Sequence, residues 1–223
     1  MKTLELENLT FAYGKKVVLK DLSCSFESGK ITAITGKSGA GKTTLLSLIS
    51  GLAEPKSGRI LVNGEELAQK DKAEYRSRDI GVIFQSFNLL TKLTAVENVE
   101  LSMEISGFSP DDSLKGSARK KAVREAAYEC LENVGITREE ADRRVLKLSG
   151  GQQQRVAIAR AISYNPDIIL ADEPTGNLDE ETQEDILEIL RGLANQGKCV
   201  IVVTHSSAVA NAADARISMG KGK

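Results

Sequence analysis

The sequence predicts an α/β fold, in which buried strands alternate with helices and a helical segment interrupts the series. Downstream of residue 151, two apolar strands, Ile168–Ala171 and Cys199–Val203, are separated by a helical pattern. Apolar strands that alternate with helices are typical of a parallel sheet. The run Ile80–Phe84 is also apolar, as expected of a strand buried on both faces. Because residues 86–147 have a helical pattern instead, we expect them to be inserted into the sheet domain.

Short strands are predicted for the first part of the chain. Thr3–Leu9 alternates polar and apolar residues, and Val17–Leu22 and Gly29–Thr35 follow after turn residues. The dipeptide Asn63-Gly64 lies between two short runs and predicts a β-hairpin over residues 59–67. Asn and Gly both tolerate the positive φ angles of a type I′ turn, which joins two antiparallel strands.

Helical signals dominate the middle of the chain. Thr94-Ala-Val-Glu97 has the residues of a capping box and predicts a helix from Thr94 to Ile105. Ser117–Val134 has an apolar stripe, with Lys and Arg on the opposite face. Gly107–Gly116, which contains a proline, is predicted to be a mobile loop between the two helices. Two later helices, Gln152–Ser163 and about 181–194, precede the two apolar strands.

The composition excludes several classes of protein. The chain has 223 residues, of which 41% are hydrophobic, so it can form one domain with a large core and is too apolar to be disordered. Its 30 Lys and Arg against 31 Asp and Glu argue against a protein that binds nucleic acid through overall basicity. We therefore expect no nucleic-acid partner.

The same composition bears on compartment and membrane association. Cys24, Cys130 and Cys199 are too far apart for a zinc or redox motif, which favours a reducing compartment. No apolar run approaches the roughly 18 residues of a membrane span, and the N-terminus lacks the pattern of a signal peptide. We expect a soluble chain that reaches a membrane only through another chain.

Residues Gly36–Thr43 fit the pattern G-x-x-x-x-G-K-[ST] of a phosphate-binding loop. Gly39 and Gly41 allow the backbone to turn its N–H groups toward phosphates, and Lys42 supplies a charge for the β- and γ-phosphates. Thr43 offers a hydroxyl to Mg²⁺. A strand before the loop and a helix after it favour this interpretation over an ordinary glycine-rich turn. The predicted nucleotide-binding residues here are Gly36, Lys37, Ser38, Gly39, Ala40, Gly41, Lys42, Thr43 and Thr44.

Two acidic residues follow the apolar strand Ile168–Ala171. Asp172 would lie at the carboxyl edge of the sheet, where ligands of open α/β sheets bind, and would hold Mg²⁺. Glu173 would orient or deprotonate a water that faces the γ-phosphate. An acid after a strand is more often a helix cap, but the phosphate-binding loop upstream favours the role in ATP chemistry.

A second candidate anion site lies at Leu148-Ser-Gly-Gly-Gln152. A Ser hydroxyl and glycine N–H groups at the start of a helix can bind a phosphate. The predicted nucleotide-binding residues are Ser149, Gly150, Gly151 and Gln152. Because one nucleotide has one γ-phosphate, two such sites in a small domain make sense if the second serves a nucleotide held by another copy.

These motifs, in this order, resemble the ATPase subunit of ABC transporters along essentially the whole chain. Leu148–Gln152 matches the family's signature motif, Gln85 its Q-loop glutamine and Asn177-Leu-Asp179 its D-loop. His205 follows a strand as the family's switch histidine does, and Tyr13 lies where the family places an aromatic ring under adenine. Taken alone, Tyr13 would also fit ordinary cross-strand packing, and His205 and Gln85 ordinary surface positions.

The resemblance implies a P-loop NTPase (RecA-like) core with an N-terminal antiparallel β subdomain and an inserted α-helical subdomain. Residues 1–85 and 151–223 would form the core with the β subdomain, and residues 86–150 the helical subdomain. The signature motif lies at the end of the helical subdomain. Fewer than 110 residues separate the two halves, which excludes the long coiled coil of chromosome-maintenance ATPases.

The resemblance also implies a mechanism and partners. Two copies would close head to tail on two ATP molecules, with Ser149 and Gly151 covering the γ-phosphate held by the other copy. Glu173 would position the attacking water, and His205 would contact the γ-phosphate. Gln85, Thr43 and Asp172 would hold Mg²⁺. A transmembrane permease subunit would place the chain at the cytoplasmic face of the membrane.

Two questions stay open at the level of sequence. Asp172–Asp179 and Gly81–Leu90 resemble the branch that serves lipoprotein release, macrolide export and antimicrobial-peptide resistance, whereas a non-transporting signalling or cell-wall complex is the alternative. Phe87, Leu89 and Leu90 either pack under the helical insertion or line a groove for the permease. The family usually continues with a strand and a hairpin after its last helix, and residues 214–223 are expected to stop short of them.

Overall fold

Two β-sheets form the frame of the molecule. The computed structural model describes residues 2–176 and 178–220. The first sheet is antiparallel, with strand order β2-β1-β4-β5, and the second is parallel, with strand order β6-β7-β8-β3-β9. The strands are β1 (Lys2–Tyr13), β2 (Lys16–Glu27), β3 (Ile31–Gly36), β4 (Ser57–Val62), β5 (Glu65–Glu66), β6 (Ile80–Ile83), β7 (Ile168–Asp172), β8 (Cys199–Val203) and β9 (Ala215–Met219).

The helices follow the predicted order, and α3 (Ala95–Ser106) has the predicted capping box. Thr94 and Glu97 form this capping box at the start of the helix. Gly107, with a φ angle of 73°, ends the same helix. Among the described residues, no helix has both the length and the apolar character that crossing a membrane requires. The helices are α1 (Lys42–Ile49), α2 (Lys72–Glu74), α3 (Ala95–Ser106), α4 (Gly116–Glu132), α5 (Arg138–Ala141), α6 (Gly150–Ile162), α7 (Glu180–Asn195) and α8 (Ser207–Ala212).

The predicted α/β fold class is confirmed. Buried strands of the parallel sheet alternate their side chains between two cores. Ile169 and Ala171 of β7 face the core that α3, α4, α6 and α7 share. Ile168 and Leu170 face the core formed with α1 and the antiparallel sheet. This alternation explains why the strands are apolar throughout, since neither face meets solvent.

Two segments differ from the sequence-based expectation. Residues 214–223 were expected to stop short of a strand, but Ala215–Met219 forms β9 and pairs with β3 in parallel. The carboxylate of Asp214 fixes its start, because it accepts hydrogen bonds from Ile31 N and Arg191 Nη1, each at 2.7 Å. The second segment, Tyr75–Asp79, is a π-helix that the sequence did not indicate.

The topology brings several loops to one edge of the parallel sheet. Strands β6, β7, β8 and β3 are successive neighbours and run parallel, so their carboxyl ends lie side by side. Gln85 follows β6, Asp172 ends β7, His205 follows β8 and the phosphate-binding loop follows β3. Ligands of open α/β sheets bind at this edge. The fold therefore gathers chemistry-bearing residues from distant parts of the chain.

Candidate functional site

A cleft of about 1110 Å³ lies at the carboxyl edge of the parallel sheet. Eleven of the residues predicted to bind nucleotide or metal, or to act in catalysis, line it: Tyr13, Ser38, Gly39, Gly41, Lys42, Thr43, Thr44, Gln85, Asp172, Glu173 and His205. Sequence reasoning did not single out the others: Lys16, Val17, Val18, Thr175, Gly176, Gln183, Val203 and Ser206.

The phosphate-binding loop has the backbone geometry that its glycines predict. Gly39 and Gly41 have φ angles of 79° and 90°, in the left-handed region that is unfavourable for residues with a Cβ atom. A Cβ atom at Gly41 would lie 2.9 Å from Val18 Cγ1, so β2 packs directly against the loop. Ala40 is buried beneath the loop and packs in the core that contains α1.

Lys42 lies inside this loop rather than in solvent. Its side chain is buried, and its Nζ donates hydrogen bonds to the carbonyl oxygens of Gly36 (2.9 Å) and Lys37 (3.4 Å). The same Nζ lies 3.0 Å from His205 Nε2. A buried ammonium held by carbonyl oxygens of the loop is suited to attract a phosphate.

Asp172 and Thr43 bring oxygen atoms together at the floor of the cleft. Burial and the neighbouring Glu173 carboxylate raise the pKa of Asp172, while Lys42 and a hydrogen bond with Thr43 oppose the shift. A carboxylate and a hydroxyl are hard oxygen ligands of the kind that Mg²⁺ prefers. The residues present thus fit a Mg²⁺ site whose charge would offset the crowding of the two carboxylates.

Glu173 has the strained backbone and the unpartnered oxygen of a functional residue. Its φ angle is 48°, which is rare for residues other than glycine. Its Oε2 accepts a hydrogen bond from His205 N at 3.1 Å. Its Oε1 is buried without a hydrogen-bond partner, although His205 Nε2 lies 3.5 Å away. An unpartnered buried carboxylate oxygen beside the phosphate-binding loop can accept a proton from a water molecule.

Gln85 and Tyr13 both line the cleft. The Gln85 side chain is so close to Gly176 that a Cβ there would lie 2.9 Å from Gln85 Nε2. Gly176 therefore leaves room for the amide. Tyr13 is 60% exposed, and Phe11 supports its ring from below in an edge-on contact at 4.9 Å. A supported, exposed aromatic ring offers a face for stacking a base.

The signature segment, Ser149–Gln152, lies outside the cleft. The Ser149 hydroxyl accepts a hydrogen bond from Gln152 N, and the Gln152 side chain accepts one from Ser149 N, so the two form a capping box. Gln152 also donates to Glu140 Oε1 at 2.6 Å. Ser149 and Gly150 are exposed. The segment is thus a rigid, exposed helix start without a cleft of its own.

The segment after β7 connects the cleft with the signature segment. A Cβ at Gly151 would lie 2.6 Å from Thr182 Cγ2, so the first turns of α6 and α7 are in close contact. Asp179 caps α7 by accepting a hydrogen bond from Thr182 N at 2.9 Å. The predicted D-loop, Asn177–Asp179, includes Asn177, which lies outside the described residues.

The loop after Gln85 was predicted either to pack under the helical insertion or to be exposed to a partner, and its residues divide between these two interpretations. Leu89 packs against the core of α3 and α6, whereas Leu90 is 49% exposed. Phe87 is half-buried. Within the described residues, Ile105 on α3 is a further exposed apolar side chain, with an exposed fraction of 69%. Leu89 is therefore partly buried against this core, whereas the Leu90 side chain is exposed.

Comparisons with known proteins agree with this geometry. A family model described as ABC transporter matches residues 19–176. The uncharacterized ABC transporter ATP-binding protein YclH of Bacillus subtilis is 40% identical over 100% of this chain and 95% of its own. The lipoprotein-releasing system ATP-binding protein LolD of Colwellia psychrerythraea is 39% identical over 92% of this chain and 77% of its own. The phosphonates import ATP-binding protein PhnC 1 of Ruegeria sp. is 42% identical over 90% of this chain and 78% of its own.

Solved structures show the same fold. The bacterial ABC transporter cassette MJ0796 has a TM-score of 0.85 and 37% identity, with 98% of this chain and 95% of that chain covered. It has been solved as a dimer, and also as a dimeric post-hydrolysis state bound to ADP and Pi. Taken with the family match over more than half of the sequence, these likenesses show that the chain belongs to the ABC transporter family, as an ATP-binding subunit with the family's ATPase domain.

Proposed function

We propose that the chain binds ATP with Mg²⁺ in the cleft and hydrolyses it to drive a membrane partner. The observation that carries this proposal is that Lys42 Nζ and the unpartnered Oε1 of Glu173 lie 3.0 Å and 3.5 Å from the same atom, His205 Nε2, beside the phosphate-binding loop. One group is suited to hold a phosphate, and the other to accept a proton from water. The exposed ring of Tyr13, which also lines the cleft, stacks the adenine ring.

The residues divide the work of hydrolysis by their positions. Thr43, Asp172 and Gln85 would hold Mg²⁺, which would supply positive charge to offset that of the β- and γ-phosphates. When ATP binds, the Lys42 ammonium gives up its hydrogen bonds to the carbonyl oxygens of Gly36 and Lys37 and contacts the phosphates instead. Glu173 orients the attacking water and takes its proton. His205, whose N–H already holds Glu173 in place, turns its ring to the γ-phosphate.

The signature segment acts on a nucleotide that a second copy holds. Ser149 and Gly150 are exposed and lie outside the chain's own cleft, which supports an intermolecular role. The dimeric structures of the related MJ0796 support self-association. In a head-to-tail pair, the Ser149 hydroxyl and the N–H groups of Gly150 and Gly151 face the γ-phosphate of the partner's ATP, at the positive end of α6.

The chain has a core part and a helical part that serve different partners. Residues 1–85 and 151–223 form the nucleotide-binding core with its β subdomain, and residues 86–150 form the helical subdomain. Leu90 and Ile105 of the helical part have exposed apolar side chains, and they take an apolar segment of a transmembrane permease. The chain is thereby held at the cytoplasmic face of the membrane.

The cargo direction is export. The likeness to the lipoprotein-releasing protein LolD and the sequence of residues 172–179 support this assignment. The likeness to PhnC 1, an import protein, is of similar extent and supports the opposite direction. The topology of the permease encoded beside this gene decides between them, since a four-span permease with a large extracellular domain indicates extrusion.

Calorimetry of ATP binding tests the nucleotide site. Lys42→Ala should reduce ATP affinity by at least about 10-fold, because it removes the charge that meets the β- and γ-phosphates. Lys30→Ala is the matched control, since Lys30 is exposed and paired with Glu27 outside the cleft. Equal affinity in both variants would contradict the proposal.

Co-purification with the permease tests the membrane partner. Leu90→Ser should weaken co-purification while leaving the melting temperature within a few degrees, because Leu90 is exposed. Leu52→Ser changes an equally apolar residue that is 66% exposed in the segment between α1 and β4, and it should have no effect. Undiminished co-purification of Leu90→Ser would contradict the assignment of this surface.

A further inference from the structure

Arg160 in the last turn of α6 is an unusual cation. Its Nη1 and Nη2 donate hydrogen bonds to the carbonyl oxygens of Asn88 (2.5 Å) and Phe87 (3.1 Å). In the part of the chain that the structure describes, no carboxylate forms an ion pair with it. Partial burial lowers the pKa of its guanidinium. A cation that is held by two backbone carbonyl oxygens and no carboxylate serves to fix the backbone to which it is bonded.

The backbone that Arg160 holds is strained. Phe87 and Asn88 have φ angles of 59° and 52°, so two consecutive residues other than glycine adopt the left-handed conformation. This conformation is uncommon for a bulky residue such as Phe and persists only where surrounding contacts impose it. Both residues lie within three positions of Gln85. The shape of the loop that carries Gln85 therefore depends on contacts from outside the loop.

Two side chains supply those contacts, one from each side. Arg160 holds the carbonyl oxygens of Phe87 and Asn88. Asn98 on α3 accepts a hydrogen bond from Leu90 N at 2.8 Å and donates one to Leu90 O at 3.2 Å. The residues between Gln85 and α3 are thus fixed to α6 at one point and to α3 at another.

Helix α6 is well placed to carry a displacement to this loop. Its N-cap, Ser149, belongs to the signature segment, and Arg160 lies eleven residues further, about 17 Å along the axis. Its last turn touches β6, because a Cβ at Gly81 would lie 2.3 Å from Ala161 O. One rigid helix therefore joins the signature segment to the strand and loop that carry Gln85.

We propose that Arg160 is a positioning residue that makes the loop after Gln85 follow the movement of α6. When the signature segment engages the nucleotide of a second copy, the guanidinium of Arg160 moves the loop with α6. This movement sets the position of Gln85 in the cleft of the same chain. This inference rests on the proposed function, because it requires the signature segment to meet a nucleotide in a second copy. It makes each cleft sensitive to occupancy of the other.

A tryptophan reporter tests the proposal in the full chain. The sequence contains no Trp, so Leu90→Trp places a single fluorophore in the loop. In this reference protein, ATP with Mg²⁺ should change the emission, and phosphate release gives kcat and KM. Adding Arg160→Lys keeps the charge but removes the planar fork. It should reduce the emission change to less than about a third and kcat by about 3- to 10-fold, with KM within about two-fold.

Arg155→Lys is the matched control on the same helix. Arg155 bonds Val134 O and Asp185, so it does not touch the loop. It should leave both the emission change and kcat as in the reference. Arg160→Gln, which keeps one planar donor group, replaces Arg160→Lys if that variant does not fold, with the same expected results.

These experiments distinguish a failure of the proposed function from a failure of the role of Arg160 alone. A reference that binds no ATP and releases no phosphate overturns the proposed function and this inference with it. A reference that is active but shows no emission change overturns the inference alone, as does an Arg160→Lys variant with full emission change and kcat. Failure of both Arg160 variants to fold, while Arg155→Lys folds, also overturns it, because Arg160 would then be a folding residue.

Discussion

The two candidate phosphate sites of this chain are built in opposite ways. The phosphate-binding loop curls around the buried ammonium of Lys42 within a cleft, and its shape depends on glycines in the left-handed conformation. The signature segment is an exposed helix start with its capping box complete, and Gly150 there is helical with room for a Cβ atom. The first site is formed within the chain. The second lies outside this cleft, at an exposed helix start.

The difference shows what the glycines are for in each site. At Gly41 the chain's own backbone and its contact with Val18 demand glycine. At Gly150 neither the backbone nor the packing does, since the nearest side-chain atom to an added Cβ is Leu178 Cδ2 at an ordinary 3.8 Å. A small residue that the chain itself does not need is explained by the close approach of a partner.

The largest effect is expected from Glu173→Gln in the cleft. Loss of the group that accepts the proton should lower ATP turnover by about 10²- to 10⁴-fold, while ATP affinity stays within about two-fold. Phosphate release and calorimetry measure the two quantities. Glu181→Gln, an exposed residue in the first turn of α7, is the control and should leave both unchanged. Unchanged turnover in Glu173→Gln would remove Glu173 from the mechanism.

A smaller effect is expected from Ser149→Asp at the signature segment. Asp retains the helix cap but places a carboxylate opposite the partner's γ-phosphate. Turnover should fall by at least about 10-fold, because like charges that face each other across an interface repel strongly. Ser149→Asn keeps the cap without the charge and should retain more activity. Equal turnover in the two variants would show that Ser149 does not face a phosphate.

Alanine at the two glycines distinguishes the sites by stability. Gly41→Ala should lower the free energy of unfolding by about 1–3 kcal/mol, through strain at φ 90° and the contact with Val18. Gly150→Ala should leave it unchanged or raise it by up to about 1 kcal/mol. Urea unfolding measures both. An equal loss of unfolding free energy in Gly150→Ala and Gly41→Ala would show that the chain's own structure requires glycine at both positions.

The smallest effect concerns the pH dependence of stability. The raised pKa of Asp172, caused by burial and by Glu173, means that its ionised form destabilises the nucleotide-free chain. Asp172→Asn should therefore be more stable than the parent at neutral pH. The difference should disappear as the pH falls through the folded-state pKa toward the unfolded value of about 3.9. Urea unfolding at a series of pH values would contradict this if the gap widened instead.

Much of the cleft could be predicted from the sequence, because its residues lie at the ends of buried strands. Parallel strands bring their carboxyl ends to one edge, so the order of Gln85, Asp172 and His205 along the sheet follows from the fold class. The glycines of the phosphate-binding loop were equally predictable, since only glycine tolerates those φ angles without cost.

Other features depend on contacts between segments that are far apart in the sequence. Leu89 and Leu90 are adjacent and chemically identical, yet one packs in the core and the other is exposed. The bonds from Arg160 to Phe87 and Asn88 span more than 70 residues. Strand β9 was missed because its pairing with β3 depends on Asp214, which bonds Ile31 at the opposite end of the chain.

Sedimentation of Glu173→Gln with ATP and Mg²⁺ tests most directly whether the signature segment completes the cleft of a second copy. The chain should be monomeric without nucleotide and dimeric with ATP, because bound ATP is retained and the carboxylate no longer repels it. Glu173→Gln with Ser149→Asn should also dimerise, whereas Glu173→Gln with Ser149→Asp should bind ATP and stay monomeric. Dimerisation of the Ser149→Asp protein at the same ATP concentration would contradict the shared site.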